Sequence, residues 1–364
     1  MLRAYKYCLV PNVKQSISLN KTMGCVRYYW NKQVESFNSY DKETNPVVSF
    51  KTSTEIRKEN EWMQEVSAAA IQQKEIDFKE FKKQHFSNTR KKYIGRPSFK
   101  KRNDRQSFRL PNQKFSIIEN KIRLEKIGKI KFIEDRPLPV NCKLMSITVS
   151  KDTCDKYYAS ILVETQIKQF EKTNKTIGID VGIKEFATLS DGIVINNPHY
   201  FRDSQAELKK AQRRLSRKKK GSSRRKKCKL KVAKIHKKIA NQRENFLHNV
   251  STKIVKDYDV ISIEDLNVAG MVKNHKLAKS ISDVSFSKFF SMLDYKCKWY
   301  GKELVKIPRF TPSSKTCSGC GNVKKELKLS ERTYHCDVCG HEMDRDLNAS
   351  ININCIGVEM LKRA

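Results

Sequence analysis

No stretch of about 18 apolar residues occurs in the chain, so no segment is expected to cross a membrane. The opening residues, MLRAYKYCLVPNVKQ, turn polar within a few positions and lack the apolar core of a signal peptide. No lipidation signal is present, and an intracellular protein is expected. Acids are scarce as well. There are 39 Asp+Glu against 75 Lys+Arg, a formal net charge of +36, and no acid at all between Lys209 and Lys238. Such an excess repels itself in a compact chain unless a polyanion neutralises it, and Lys/Arg on phosphates gain from counterion release. Nucleic acid is the expected polyanion. An anionic membrane surface is the weaker reading, because the basic residues spread through several segments.

The 364 residues suffice for about two or three domains. LRAYKYCLV alternates weakly and reads as a strand. Ser16 to Phe37 reads as a helix, NPVVSF as a break, and Asn60 to Phe86 as a second helix. In that second helix Ile71, Phe78, Phe81 and His85 share one stripe. Gln72 and Gln73 lie off the stripe, free to read a base edge if the bundle rests on nucleic acid. YIGRPSFKKRNDRQSFR is a basic loop with interleaved aromatics. The runs SFRL, KFSII, KIRLEKI, KIKFI, MSITVS and YYASILVE then predict a small, mostly antiparallel β-barrel.

After about residue 170 the pattern changes. TIGIDVGIKEFATLSDGIVI predicts two or three strands. A very basic helical hairpin follows, broken at KGSS, with Leu208, Ala211 and Leu215 and then Leu230, Ala233, Ile235 and Ile239 as its apolar stripe. Its Arg213, Arg214, Arg217, Lys218, Lys219, Lys220, Arg224 and Arg225 are candidate phosphate contacts. DVISIEDL is a buried strand of the kind parallel sheets require, Phe286 to Trp299 a helix, and ELVKIPRF another strand. Strands alternating with helices predict an α/β sheet covered on both faces.

Four of the eleven cysteines form two CxxC pairs about 15 residues apart: Cys317 with Cys320, and Cys336 with Cys339. That is the spacing of a closed, four-thiolate structural zinc site. Gly321 and Gly340 follow the pairs and let the chain turn back so that N–H groups point at the sulfurs. His335 and His341 are read as surface residues. The other seven cysteines are scattered and read as small core residues.

Three acids carry the remaining chemistry. In TIGIDVG, Gly178, Asp180 and Gly182 share one strand face, which leaves space beside the carboxylate for a metal ion or a phosphodiester. Glu264 and Asp265 end a buried strand, where open α/β sheets place their sites, and periodicity does not choose between them. In DRDLNAS a helix begins with Leu347, Ile351, Cys355 and Val358 as its stripe, and Asp344 or Asp346 is an N-cap candidate. Acids from two strands and one helix could together hold two hard cations, as a nuclease requires.

GIDVGIKEFATLSDG, a basic hairpin, ISIEDLNVAGM, and CSGCG followed by YHCDVCGHEMDRDLNASINI together resemble the TnpB (OrfB) nucleases of bacterial insertion sequences, relatives of the type V CRISPR effectors. The resemblance is strong over about residues 175–357. It implies a multidomain α/β protein with an RNase H-like (RuvC) nuclease domain, a zinc-ribbon insertion, a helical recognition lobe and a small wedge β-barrel. The implied boundaries are residues 1–12 and 93–170 for the wedge and 13–92 for the recognition lobe. RuvC takes 171–308, with the hairpin at 203–256, and ends in 344–364; the ribbon takes 309–343. The resemblance implies RNA-guided cleavage of double-stranded DNA beside a short motif that the protein reads, with one protein per guide RNA made from the element's end. It implies a bacterial, cytoplasmic and nucleoid-associated setting. Asp180, Glu264 and Asp346 become the catalytic acids and ligands of two Mg²⁺ ions. Cys317, Cys320, Cys336 and Cys339 bind one Zn²⁺, and Gln72, Gln73 and Ser107 are candidates for motif reading. The alternatives are an RNA-guided DNA-binding protein or transposition regulator that does not cut, and a strand-transferring transposase. Loss of zinc is expected to disturb the acid that follows the second cysteine pair.

Overall fold

Alternation in LRAYKYCLV puts Tyr5, Tyr7 and Leu9 on one buried side of the first strand, β1 (Leu2–Val10). The computed structural model describes residues 1–40, 48–87, 94–275, 277–328 and 330–363. The chain divides into two units, Met1–Gln166 and Ile167–Ala364. In the first, β1 leads into α1 (Val13–Asn38), which begins earlier than its apolar pattern because Asn12 and Gln15 form a capping box. Then come α2 (Ser53–Glu59), a 3-10 turn at Glu61–Glu65, and α3 (Ala68–Phe86). The single helix expected from Asn60 is therefore corrected. Val66 leaves helical geometry at φ −105°, ψ 165° between the 3-10 turn and α3, and the buried Met63 and Val66 hold the break against the core. Within α3, Ile71 and Phe78 are buried, whereas Phe81 and His85 are half-buried. The break expected at NPVVSF falls partly outside the described residues, as does Tyr93 of the basic loop.

Every alternating run forms a strand. They are β2 (Gln106–Pro111), β3 (Phe115–Ile118), β4 (Lys121–Leu124), β5 (Gly128–Ile133), β6 (Lys143–Lys151) and β7 (Tyr157–Glu164). With β1 they make one antiparallel sheet in the order β2-β6-β7-β1-β5-β4-β3. Among the described residues no ladder joins the end strands β2 and β3, so hydrogen bonds do not close the expected barrel. Leu110, Ile130, Ile147 and Ile161 pack with Leu19, Met23 and Val26 of α1.

The second unit opens with β8 (Thr176–Val181), β9 (Glu185–Leu189) and β10 (Val194–Asn196). The hairpin α4 (Tyr200–Ser216) and α5 (Ser223–Asp257) follows, then β11 (Val260–Glu264), α6 (Val268–Met271), α7 (Ala278–Val284), α8 (Phe286–Tyr300) and β12 (Glu303–Ile307). A small hairpin, β13 (Thr333–His335) and β14 (Glu342–Asp344), precedes α9 (Arg345–Arg363). The main sheet runs β10-β9-β8-β11-β12. β8, β9 and β10 are antiparallel, whereas β8, β11 and β12 are parallel. On one face Ile177, Ile179, Ile261 and Ile263 pack with Leu247 and Ile254 of α5 and with Phe289 and Leu293 of α8.

The opposite face carries Gly178 and Ser262 on paired strands, and α9 lies against it. A Cβ on Gly178 would stand 2.0 Å from the Ser350 carbonyl oxygen and 2.5 Å from the Asn354 nitrogen. A Cβ on Gly357 would stand 2.0 Å from Ser262 Oγ. Helix and sheet touch backbone to backbone, which only glycine permits here. The buried side of α9 is therefore small and polar: Asn348, Ala349, Ser350, Asn352, Ile353 and Gly357. The stripe expected at Leu347, Ile351, Cys355 and Val358 lies along the rim instead, with Cys355 exposed.

Candidate active site and cysteine cluster

Ile263 sits level with Ile179 in the parallel ladder, so Asp180 and Glu264 leave neighbouring strands side by side. Strands are about 4.8 Å apart in that direction. Both acids point to the face that α9 covers, and Asp346 lies in the first turn of α9. Glu264 and Asp265 now separate. Asp265 is exposed and engaged by Arg309, whose Nη2 donates to its carboxylate at 2.7 Å and whose Nε donates to its carbonyl at 3.0 Å. Glu264 accepts the hydroxyl proton of Ser313. The capping question also resolves: Asp344 Oδ1 accepts the N–H groups of Asp346 and Leu347 at 2.9 and 3.0 Å. Asp346 is left with weak cationic neighbours, Arg345 at 3.5 Å and Arg332 at 4.0 Å.

These three acids crowd one another. Burial, then the negative charges of Glu264 and Asp346, push Asp180 up to about 8, against the opposing pull of Arg345. Asp180 is half-buried. The space expected beside it is taken at both flanking glycines. At Gly178 it holds the backbone of α9, and at Gly182 a Cβ would stand 2.9 Å from the Glu185 carbonyl oxygen.

The four cysteine sulfurs lie within 4.8 Å of one another. Cys317 and Cys339 are 3.7 Å apart, and Cys320 and Cys336 are 3.6 Å apart. A disulfide needs about 2.05 Å. Four thiolates about 2.3 Å from one central zinc stand about 3.8 Å apart, so the cluster fits that ion. The two knuckles repeat one design. Gly321 and Gly340, at φ +77° and +72°, donate their N–H groups to the carbonyls of Cys317 and Cys336 at 2.9 and 3.0 Å. The glycine N–H groups are thus spent on carbonyls, and other backbone N–H groups of the turned-back chain are left to point at sulfur. Those of Cys339 and Val338 do so, and they hold the Cys336 thiol down at about 6. His335 is exposed as expected, whereas His341 is half-buried and its Nε2 lies 3.4 Å from Ser318 Oγ.

Residues that sequence reading missed join the cluster to the acids. Asn348 accepts the Ser318 N–H at 3.0 Å and donates to the Thr316 carbonyl at 2.7 Å. Asn352 donates to the carbonyls of Ser313 and Thr316 at 2.8 and 2.7 Å. Ser313 is the residue that donates to Glu264. Asn348 and Asn352 are four apart on the helix that begins at Arg345, a spacing visible in DLNASIN.

In the hairpin, Arg213, Arg214, Arg217, Lys218, Lys219, Lys220 and Arg224 are exposed. Arg225 is not a free cation: its Nη1 donates to the carbonyls of Leu215 and Lys218 at 2.8 and 2.9 Å and clasps the turn. In the first unit Gln72 is exposed and Gln73 half-buried on α3. Ser107 is half-buried on β2, whose Arg109 pairs with Asp77 of α3 at 2.8 Å. That pair brings Ser107 and Gln73 to one seam.

A protein of Streptomyces pristinaespiralis named as an RNA-guided DNA endonuclease is 39% identical over 98% of this chain and 89% of its own length. The OrfB_IS605 family, described as "Probable transposase", matches residues 160–275. The chain belongs to the OrfB (TnpB) family. A Cas12f1-like TNB domain matches residues 286–353, and a helix-turn-helix domain matches residues 1–42. Described residues 1–40 form one strand and one long helix instead of two helices around a turn. The Escherichia coli K12 relative InsQ, also named as an RNA-guided DNA endonuclease, is 30% identical over 99% of this chain and 93% of its own. The fold matches the protein of a solved Cas12f1-sgRNA-target DNA complex with a TM-score of 0.55 at 14% identity, over 93% of this chain and 82% of that one. No helix among the described residues is long and apolar enough to cross a membrane.

The crowding has a sign. Asp180 is protonated in the folded, metal-free protein below about pH 8 and ionised in the unfolded chain above about pH 4. Between these values the folded state binds the extra proton, so metal-free stability falls as pH rises. Asp180→Asn is expected to raise the metal-free Tm at pH 8 and to flatten its fall between pH 5 and 8, read by thermal melts at constant ionic strength. A lower Tm with an unchanged slope would show that the acids are not crowded.

Proposed function

We propose that the protein is an RNA-guided DNA endonuclease of a transposable element, cutting double-stranded DNA beside a short motif that it reads itself. The observation that carries this is the convergence of Asp180, Glu264 and Asp346 on one face, with Asp180 driven up by burial and then by the charges of the other two. An all-oxygen donor set of like charge suits Mg²⁺. Two such ions, when bound, would supply an activated water and neutralise the leaving oxygen of a phosphodiester. Asp180 and Glu264 would bind from the sheet and Asp346 from the helix. Ser313 would hold the Glu264 carboxylate in orientation, and Arg332 and Arg345 would offset part of the charge. The order of three antiparallel strands followed by two parallel ones supports reading this sheet as RNase H-like (RuvC). The segment between β12 and α9 would be the inserted zinc ribbon, and the first unit the recognition lobe and wedge. The exposed cations of the hairpin would neutralise nucleic-acid phosphates. Names of the relatives support guidance by RNA. A DNA-binding protein that does not cut would have no use for three crowded acids.

Asp180→Ala is expected to abolish cleavage of a guided target while leaving guided binding within a few-fold, measured by gel-resolved cleavage and filter binding. Cutting at the wild-type rate would refute the assignment of the acids. Cys336→Ser is expected to lose one zinc per chain and to slow cleavage at least tenfold, because the ribbon is bonded to the helix that carries Asp346. Metal analysis beside a cleavage assay checks this; a zinc-free protein with full activity would contradict the coupling.

A further inference from the structure

Phe310 stands 94% exposed, with its backbone in the left-handed region at φ +71°. A residue with a side chain is strained there, and an aromatic ring ordinarily turns inward. The loop that presents it is well held. The Pro308 carbonyl accepts the Thr311 N–H at 3.3 Å and the Thr311 hydroxyl at 2.7 Å. The Thr311 carbonyl accepts the Ser313 N–H at 2.8 Å, and Arg309 is committed to Asp265. Both ends of the loop close on Glu264: Ile307 is its partner across the ladder, and Ser313 donates to its carboxylate. Phe310 is three Cα steps from Ser313, so their Cα atoms are within roughly 11 Å.

We infer that Phe310 is a stacking platform for a base of the single strand whose phosphodiester is presented to Asp180, Glu264 and Asp346. A rim of carboxylates repels phosphate, and the nearest arginine of this loop is already paired. What the loop can offer a neighbouring nucleotide is its ring, which grips any base through its π-face without reading sequence. Local strain that keeps an apolar ring in water beside a polar site is compensated when a base covers it. The same contact fixes the strand's direction across the acids. This rests on the nuclease reading of those acids, but its test does not need cleavage.

The test uses full-length protein and a single-stranded oligodeoxynucleotide with 2-aminopurine placed at successive positions, at a salt concentration that suppresses purely electrostatic binding. Wild-type protein and Phe310→Trp are expected to quench the fluorophore at one register. Phe310→Ala is expected to lose that quenching and to bind roughly 5- to 100-fold more weakly, the range of one lost base–aromatic stack. Thermal melts should not separate the three proteins, since the ring is exposed. Asp180→Ala, which is not expected to cut, should quench as wild type does. Equal quenching and affinity in Phe310→Ala would overturn the inference, whether or not the wild type cuts. A wild type that quenches but does not cut with Mg²⁺ and guide would leave the platform standing and remove the nuclease reading.

Discussion

Helix α9 lies on the main sheet at backbone distance, and the second unit is organised around that approach. Gly178 and Gly357 make it sterically possible. Because the helix sits this close, its first turn brings Asp346 beside the ends of β8 and β11, where Asp180 and Glu264 emerge. Its next two turns present Asn348 and Asn352 to the segment that enters the cysteine cluster. A bulkier interface of leucines would have buried more apolar area but held the helix farther from the sheet, at the interaxial spacing that larger side chains impose. Close packing here is used for position.

The same geometry makes the acids an exception in a chain with a net charge of +36. Cations are plentiful overall, yet among the described residues only Arg345 and Arg332 pair with Asp346. Glu264 is held by a hydroxyl, and Asp265 takes the arginine that might otherwise have neutralised its neighbour. Positive charge collects instead on the exposed hairpin, where it would meet phosphates without quenching the acidic site.

Much of this was legible in the sequence, and for identifiable reasons. Strands with period-two alternation, such as YYASILVE, and the mostly apolar VISIE were read correctly because one face or both must be buried. The cysteine spacing is set by tetrahedral geometry and needs no tertiary context. The errors came where tertiary contact overrides local pattern. Gly178 looked like empty space because a sequence does not show what approaches a missing Cβ. The apolar residues of α9 looked like its core face, but small and amide side chains won because the helix sits too close for leucine. Val66, extended and buried, interrupts a helix that the pattern carried unbroken from Asn60 to Phe86. That Arg225, in a basic run, also donates to carbonyls at the end of α4 could not be seen from the run itself. Periodicity did not choose between Glu264 and Asp265, a choice only the family resemblance implied, and the Ser313 contact is non-local and was not readable.

The central claim is that three carboxylates are held together and await divalent cations. It is tested most directly by titrating Mg²⁺ into the protein calorimetrically at pH 7, in buffers of different ionisation enthalpy. Asp180 sits at about 8 without metal, so binding must expel its proton. Release of close to one proton per protein, falling to none in Asp180→Asn, is the predicted result. Mg²⁺ binding with no proton release in the wild type, or with the same release in both proteins, would contradict it.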